Sequence, residues 1–78
     1  SLKEMFRAEL PIMMNNIQHA FDRQQAQQIH EILHKLKASC GFLGASRLLL
    51  ECSHLEADIS EQNINSFMDV AKQTLVLI

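Results

Sequence analysis

Apolar residues recur at three- and four-residue steps through nearly the whole chain, a spacing that marks amphipathic helices. Phe6, Leu10, Met13, Ile17 and Phe21 form a first stripe. Ile29, Ile32, Leu33, Leu36, Cys40 and Leu43 form a second. Ala45, Leu48, Cys52, Leu55 and Ile59 form a third, widened by Leu49 and Leu50, and Ile64, Phe67, Met68, Ala71 and Leu75 a fourth. Only two Gly and one Pro are present, too little punctuation for a many-stranded β fold.

The stripes have readable ends. Pro11 falls inside the first and is expected to kink or break that helix, because it lacks the N–H that an interior position needs. Asp22 to Gln24 read as a short turn, with Asp22 the N-cap of the next helix. Gly44 ends the second stripe, and Ser60 caps the fourth. No repeat, low-complexity tract or flexible linker separates them, so residues 1–78 form a single domain. Short connections make consecutive helices antiparallel neighbours. The expected fold is all-α, an up-down-up-down four-helix bundle with its first helix kinked or broken at Pro11.

Charge and composition exclude several functions. Seven basic against nine acidic residues leave a net charge of −2, no footprint for nucleic acid or an anionic membrane. Trp and Tyr are absent, which removes the stacking platforms of single-strand binders. The longest apolar runs, Leu10–Met14 and Leu75–Ile78, are far short of a membrane span. No Gly-rich phosphate loop or ATP-site motif occurs. Cys40 and Cys52 both sit on apolar stripes and read as buried, reduced thiols of a cytosolic protein. No signal-peptide pattern opens the chain, and its opening Ser reads as a piece cut from a larger protein.

The second helix carries the chemistry. With His34 at zero on a helical wheel, the apolar stripe falls between about 160° and 260°. His34 therefore points nearly opposite the core. Its wheel neighbours are His30, Lys37, Ala38 and Gly41. A glycine inside a helix costs about 1 kcal/mol relative to Ala. What Gly41 gives in return is room for something to approach His34 closely. A surface His is usually a solvated side chain, and a Lys three residues on is commonplace. Helical geometry alone makes His34 accessible and no more.

The stretch His34-Lys35-Leu36-Lys37-Ala38-Ser39-Cys40-Gly41-Phe42-Leu43-Gly44-Ala45 resembles the signature of histidine-containing phosphotransfer (HPt) domains. That pattern has a phosphorylated His, a Lys at +3, a Gly at +4, a Ser at +5 and a Gly-Ala pair about ten residues on. Arg47-Leu48 and Cys52-Ser53-His54-Leu55-Glu56 are similar to the family's next helix, and Glu9-Leu10-Pro11 to its upstream segment. The resemblance spans roughly Phe6 to Ile59. It departs at one position: Ala38 stands where the family usually has Gly, adding a methyl on the His34 face.

The resemblance implies a four-helix bundle with the active His exposed mid-helix, and a phosphocarrier role in a multistep two-component phosphorelay. His34 would accept a phosphoryl group from a receiver-domain aspartate and pass it to an aspartate of a response regulator. Lys37 would offset the added charge. His30, Lys35, Ala38, Gly41 and Arg47 would face the docked receiver, with Lys35 and Arg47 making the surroundings basic. The domain would need no cofactor of its own, Mg²⁺ being held by the receiver, and would have no autokinase activity. It would be the C-terminal domain of a bacterial hybrid sensor kinase, working in the cytoplasm at the inner membrane.

Two rival readings come from other classes. His30 and His34 are spaced i, i+4, as metal ligands on one helix face can be, but a zinc site needs a third or fourth ligand. Alternatively, the bundle is a protein-interaction module without phosphotransfer, with Met13, Met14, Leu49 and Leu50 as soft docking surface.

Overall fold

A computed structural model describes residues 1–78. Four helices follow one another: α1 Leu2–Asp22, α2 Ala26–Leu43, α3 Ser46–Ala57 and α4 Glu61–Leu77. Helix α1 packs on α2, α2 on α3 and α3 on α4, and α4 closes back on α1. The diagonal pairs stay apart, so the arrangement is an antiparallel four-helix bundle, 34 Å long and 19 × 18 Å across. No helix is long and apolar enough to cross a membrane.

The helix ends follow local chemistry. Ser1 Oγ accepts the Glu4 N–H, and Ser60 Oγ accepts the Asn63 N–H at 3.2 Å, each satisfying a donor that the first turn leaves free. Gly44 ends α2 in the left-handed region at φ 74°, where a side chain would be strained. Its N–H donates to the Cys40 carbonyl, and the two-residue connection Gly44–Ala45 folds α3 straight back along α2.

Two expectations are corrected here. Of the kink or break expected at Pro11, the break is excluded, since α1 runs through that residue as one helix. Pro11 and Arg7 are both exposed, so the carbonyl that loses its donor lies on the wet side. Asp22 does not cap α2. It closes α1, accepting from Gln18 Nε2 at 3.0 Å, and the expected turn occupies Arg23 and Gln24, the latter at φ 57°. Gln25 then precedes α2 without a side-chain cap.

The core is one cluster drawn from all four stripes. Phe6, Leu10 and Ile17 come from α1, and Ile29, Leu33, Leu36 and Cys40 from α2. Leu48, Cys52 and Leu55 come from α3, and Ile64, Phe67, Val70 and Ala71 from α4. No polar or charged residue is buried. Burying a Leu, Ile or Phe contributes about 1.5–3 kcal/mol, so a small bundle with this many is held by its apolar faces. Met13, Phe21, Ile32, Leu43, Met68 and Leu75 lie half-buried at its edges. Cys40 and Cys52 are both buried and both free thiols.

Candidate functional site

The period of α2 places its inner and outer faces. Leu33 and Leu36 point inward, which leaves His34 exposed near the middle of the helix. His30, Ala38 and Gly41 are exposed with it and continue the ridge one and two turns away. A Cβ added at Gly41 would meet nothing within 4 Å. Glycine there serves no packing need of the fold itself, and the space above it is open.

The ridge has different flanks. On the α1 side an open apolar groove of about 270 Å³ runs between the helices. Leu2, Met5 and Glu9 line one wall, and Ala38, Ser39 and Phe42 the other. Phe42 is 78% exposed, a large apolar side chain left in water. Lys35 also turns toward α1, beside Asn16 and Ile12.

On the α3 side, Lys37 is not a free solvent-facing cation, as its wheel position suggested. Its Nζ donates to Glu56 Oε1 at 2.8 Å, joining α2 to α3. The hydrogen bond to Glu56, and then that carboxylate's charge, hold the Lys37 ammonium above its usual range. Beneath this pair, Cys40 and Cys52 meet across the helix interface. The hydrogen-bonding interaction with Cys40, and then burial, push the Cys52 thiol up.

Arg47 lies one residue into α3, beside the Gly44 turn and farther along the bundle from His34 than Lys35 and Lys37. The Gly44–Ala45 turn and the Lys37–Glu56 contact together put Arg47 roughly 12–18 Å along the axis from His34. It lines a cleft at the end of the bundle with Lys3, Gln73 and Ile78. The expected basic neighbourhood of His34 therefore reduces to Lys35 and an ion-paired Lys37. The wheel supplied each residue's angle and not its height.

The metal arrangement finds no support in the side chains. His30 and His34 share a face, but no three His, Cys, Asp or Glu side chains converge anywhere. His54 turns instead to Glu51 on its own helix, with Nδ1 3.6 Å from Oε2.

Glu56 enters the sequence reading only as part of the resemblance of α3, and neither its pairing with Lys37 nor the Phe42 groove is read there. Glu56 lies 19 residues beyond Lys37, and a tight turn at Gly44 gives their pairing only to within a helical turn. Phe42 sits about 80° from His34 on the wheel, off the apolar stripe, and that offset was the available signal.

Neither the curated proteins nor the solved structures return a match. The family model of the Hpt domain matches residues 1–75, nearly the whole chain. The chain belongs to the Hpt domain family, whose members are phosphotransfer carriers of phosphorelays that work with receiver domains rather than enzymes with an ATP site.

Proposed function

We propose that His34 is the phosphoryl acceptor of this domain, taking the group from a receiver-domain aspartate and passing it to an aspartate of a response regulator. One observation carries the assignment: His34 is exposed mid-helix on a ridge whose neighbours, Ala38 and Gly41, leave its approach open.

The neutral imidazole is the nucleophile. A ring nitrogen attacks phosphorus as the bond to the donor carboxylate breaks, and that carboxylate leaves with the electron pair. Onward transfer reverses the step: the P–N bond breaks, a new carboxylate oxygen takes the phosphoryl group, and the electron pair returns to the ring. Mg²⁺ and the acidic residues that assist belong to the receiver. Lys37 answers the added charge from one turn away. His30, Lys35, Ala38 and Gly41 form the near docking surface, and Arg47 takes part only where a partner's footprint reaches the bundle end. In this reading the domain is the C-terminal part of a bacterial hybrid sensor kinase and works on the cytoplasmic side of the inner membrane.

Incubation with a receiver charged by acetyl phosphate in Mg²⁺ tests the proposal. Transfer of an acid-labile, alkali-stable phosphoryl group, absent in His34→Gln, is expected. Equal labelling of His34→Gln would overturn the assignment.

A further inference from the structure

Lys37 carries one ammonium, and two groups can claim it. Glu56 on α3 holds it at 2.8 Å. His34 lies three residues back on α2, at a spacing where side chains of one helix meet. The pair is not fully in water: the Lys37 side chain retains 36% of its exposure and Glu56 26%. Hydrogen bond and charge together keep the ammonium protonated and engaged. A phosphoryl group on His34 brings about −1.5 to −2 charges within its reach. A compact point charge cannot serve that group and the Glu56 carboxylate at full strength together.

We propose that Glu56 is a positioning residue that sets how strongly His34 retains its phosphoryl group, by competing with that group for Lys37. The inference rests on the phosphocarrier reading above. In the unphosphorylated domain Glu56 tethers Lys37 to α3. Phosphorylation of His34 loosens that tether, so the phosphorylated form is less favoured than an unopposed Lys37 would make it. The carrier is thereby balanced to give as well as to receive. The covalent step is unchanged, since the P–N bond and the acceptor's P–O bond exchange as before. Only the non-covalent partner of Lys37 differs between the two states.

The test is the transfer equilibrium with a receiver charged by acetyl phosphate in Mg²⁺. It compares the unsubstituted domain with Glu56→Gln, Lys37→Ala and the double variant, each checked for folding by its melting curve. Glu56→Gln is expected to move the distribution about two- to fivefold toward the phosphorylated domain, the range a partly exposed ion pair supports. In the Lys37→Ala background the same substitution is expected to move nothing. Glu56→Ala, which removes the acceptor atoms as well, is expected to behave like Glu56→Gln. A purely structural role for Glu56 would shift melting and leave this dependence on Lys37 unseen. An unmoved equilibrium in Glu56→Gln, or an equal shift in both backgrounds, would overturn the proposal while phosphotransfer itself stands. No transfer to the unsubstituted domain would overturn the phosphocarrier reading and this inference with it.

Discussion

Helix α2 presents two faces on the same eighteen residues, and they follow different rules. The inner face, Ile29, Leu33, Leu36 and Cys40, is at most 1% exposed and touches all of the core it can reach. The outer face, His30, His34, Ala38 and Gly41, touches little of its own chain. Residues of the first kind are explained by the bundle. Those of the second kind are not, and a glycine with open space above it in the last turn of α2 lowers stability without any packing return. The difference separates what the fold requires from what a partner requires.

The comparison breaks most visibly where the inner face is cut. Leu36→Ala removes a fully buried side chain and is expected to cost about 2–5 kcal/mol, enough to unfold much of a domain this small. Denaturant titration measures it. A loss below about 1 kcal/mol would mean that the core collapses around the gap.

Alkaline pH probes the same face more gently. The Cys52 thiol is held above its ordinary value, so it stays protonated in the fold while the unfolded chain ionises from about pH 8.5. From this group the unfolded state then binds fewer protons and stability falls as pH rises, while Cys40, which the hydrogen bond with Cys52 holds below its ordinary value, offsets part of that fall. Lys37, also raised, keeps its contribution through this window and begins to lose it only above about pH 10.4. Urea melts under reducing conditions between pH 8 and 10 follow the decline, and Cys52→Ala flattens it. A level profile in the unsubstituted domain would contradict the buried-thiol account.

The outer face should answer in the opposite direction. Gly41→Ala meets no neighbour and is expected to raise stability by up to about 1 kcal/mol. Gly41→Gln should fold as well as the original yet slow phosphotransfer, because its bulk occupies the approach to His34. Unchanged transfer in that variant would mean that the open space serves nothing.

Much of this division was legible in the sequence. The four apolar stripes, the Gly44 stop and the Ser60 cap are local features, fixed by periodicity and by which residue satisfies a helix end. The exposure of His34 followed from the same period. The rest was not legible, each part for a physical reason. Pro11 is absorbed within α1 because its position is exposed, a fact set by tertiary packing. Asp22 does not cap α2 because it ends α1, paired with Gln18, and Gln24 takes the left-handed conformation between the helices. The pairing of Lys37 with Glu56 and the distance of Arg47 both depend on axial register between helices, which a wheel does not contain. Val70 joined the core for a similar reason, as α4 closes on α1.

The central claim is that one of four histidines, His19, His30, His34 and His54, carries the phosphoryl group. Site mapping tests it most directly. The domain is charged from a receiver loaded with acetyl phosphate, digested under alkaline conditions that preserve phosphohistidine, and read by mass spectrometry. The account predicts a single phosphorylated residue, His34. A phosphoryl group on His30, or one spread across the exposed histidines, would contradict it.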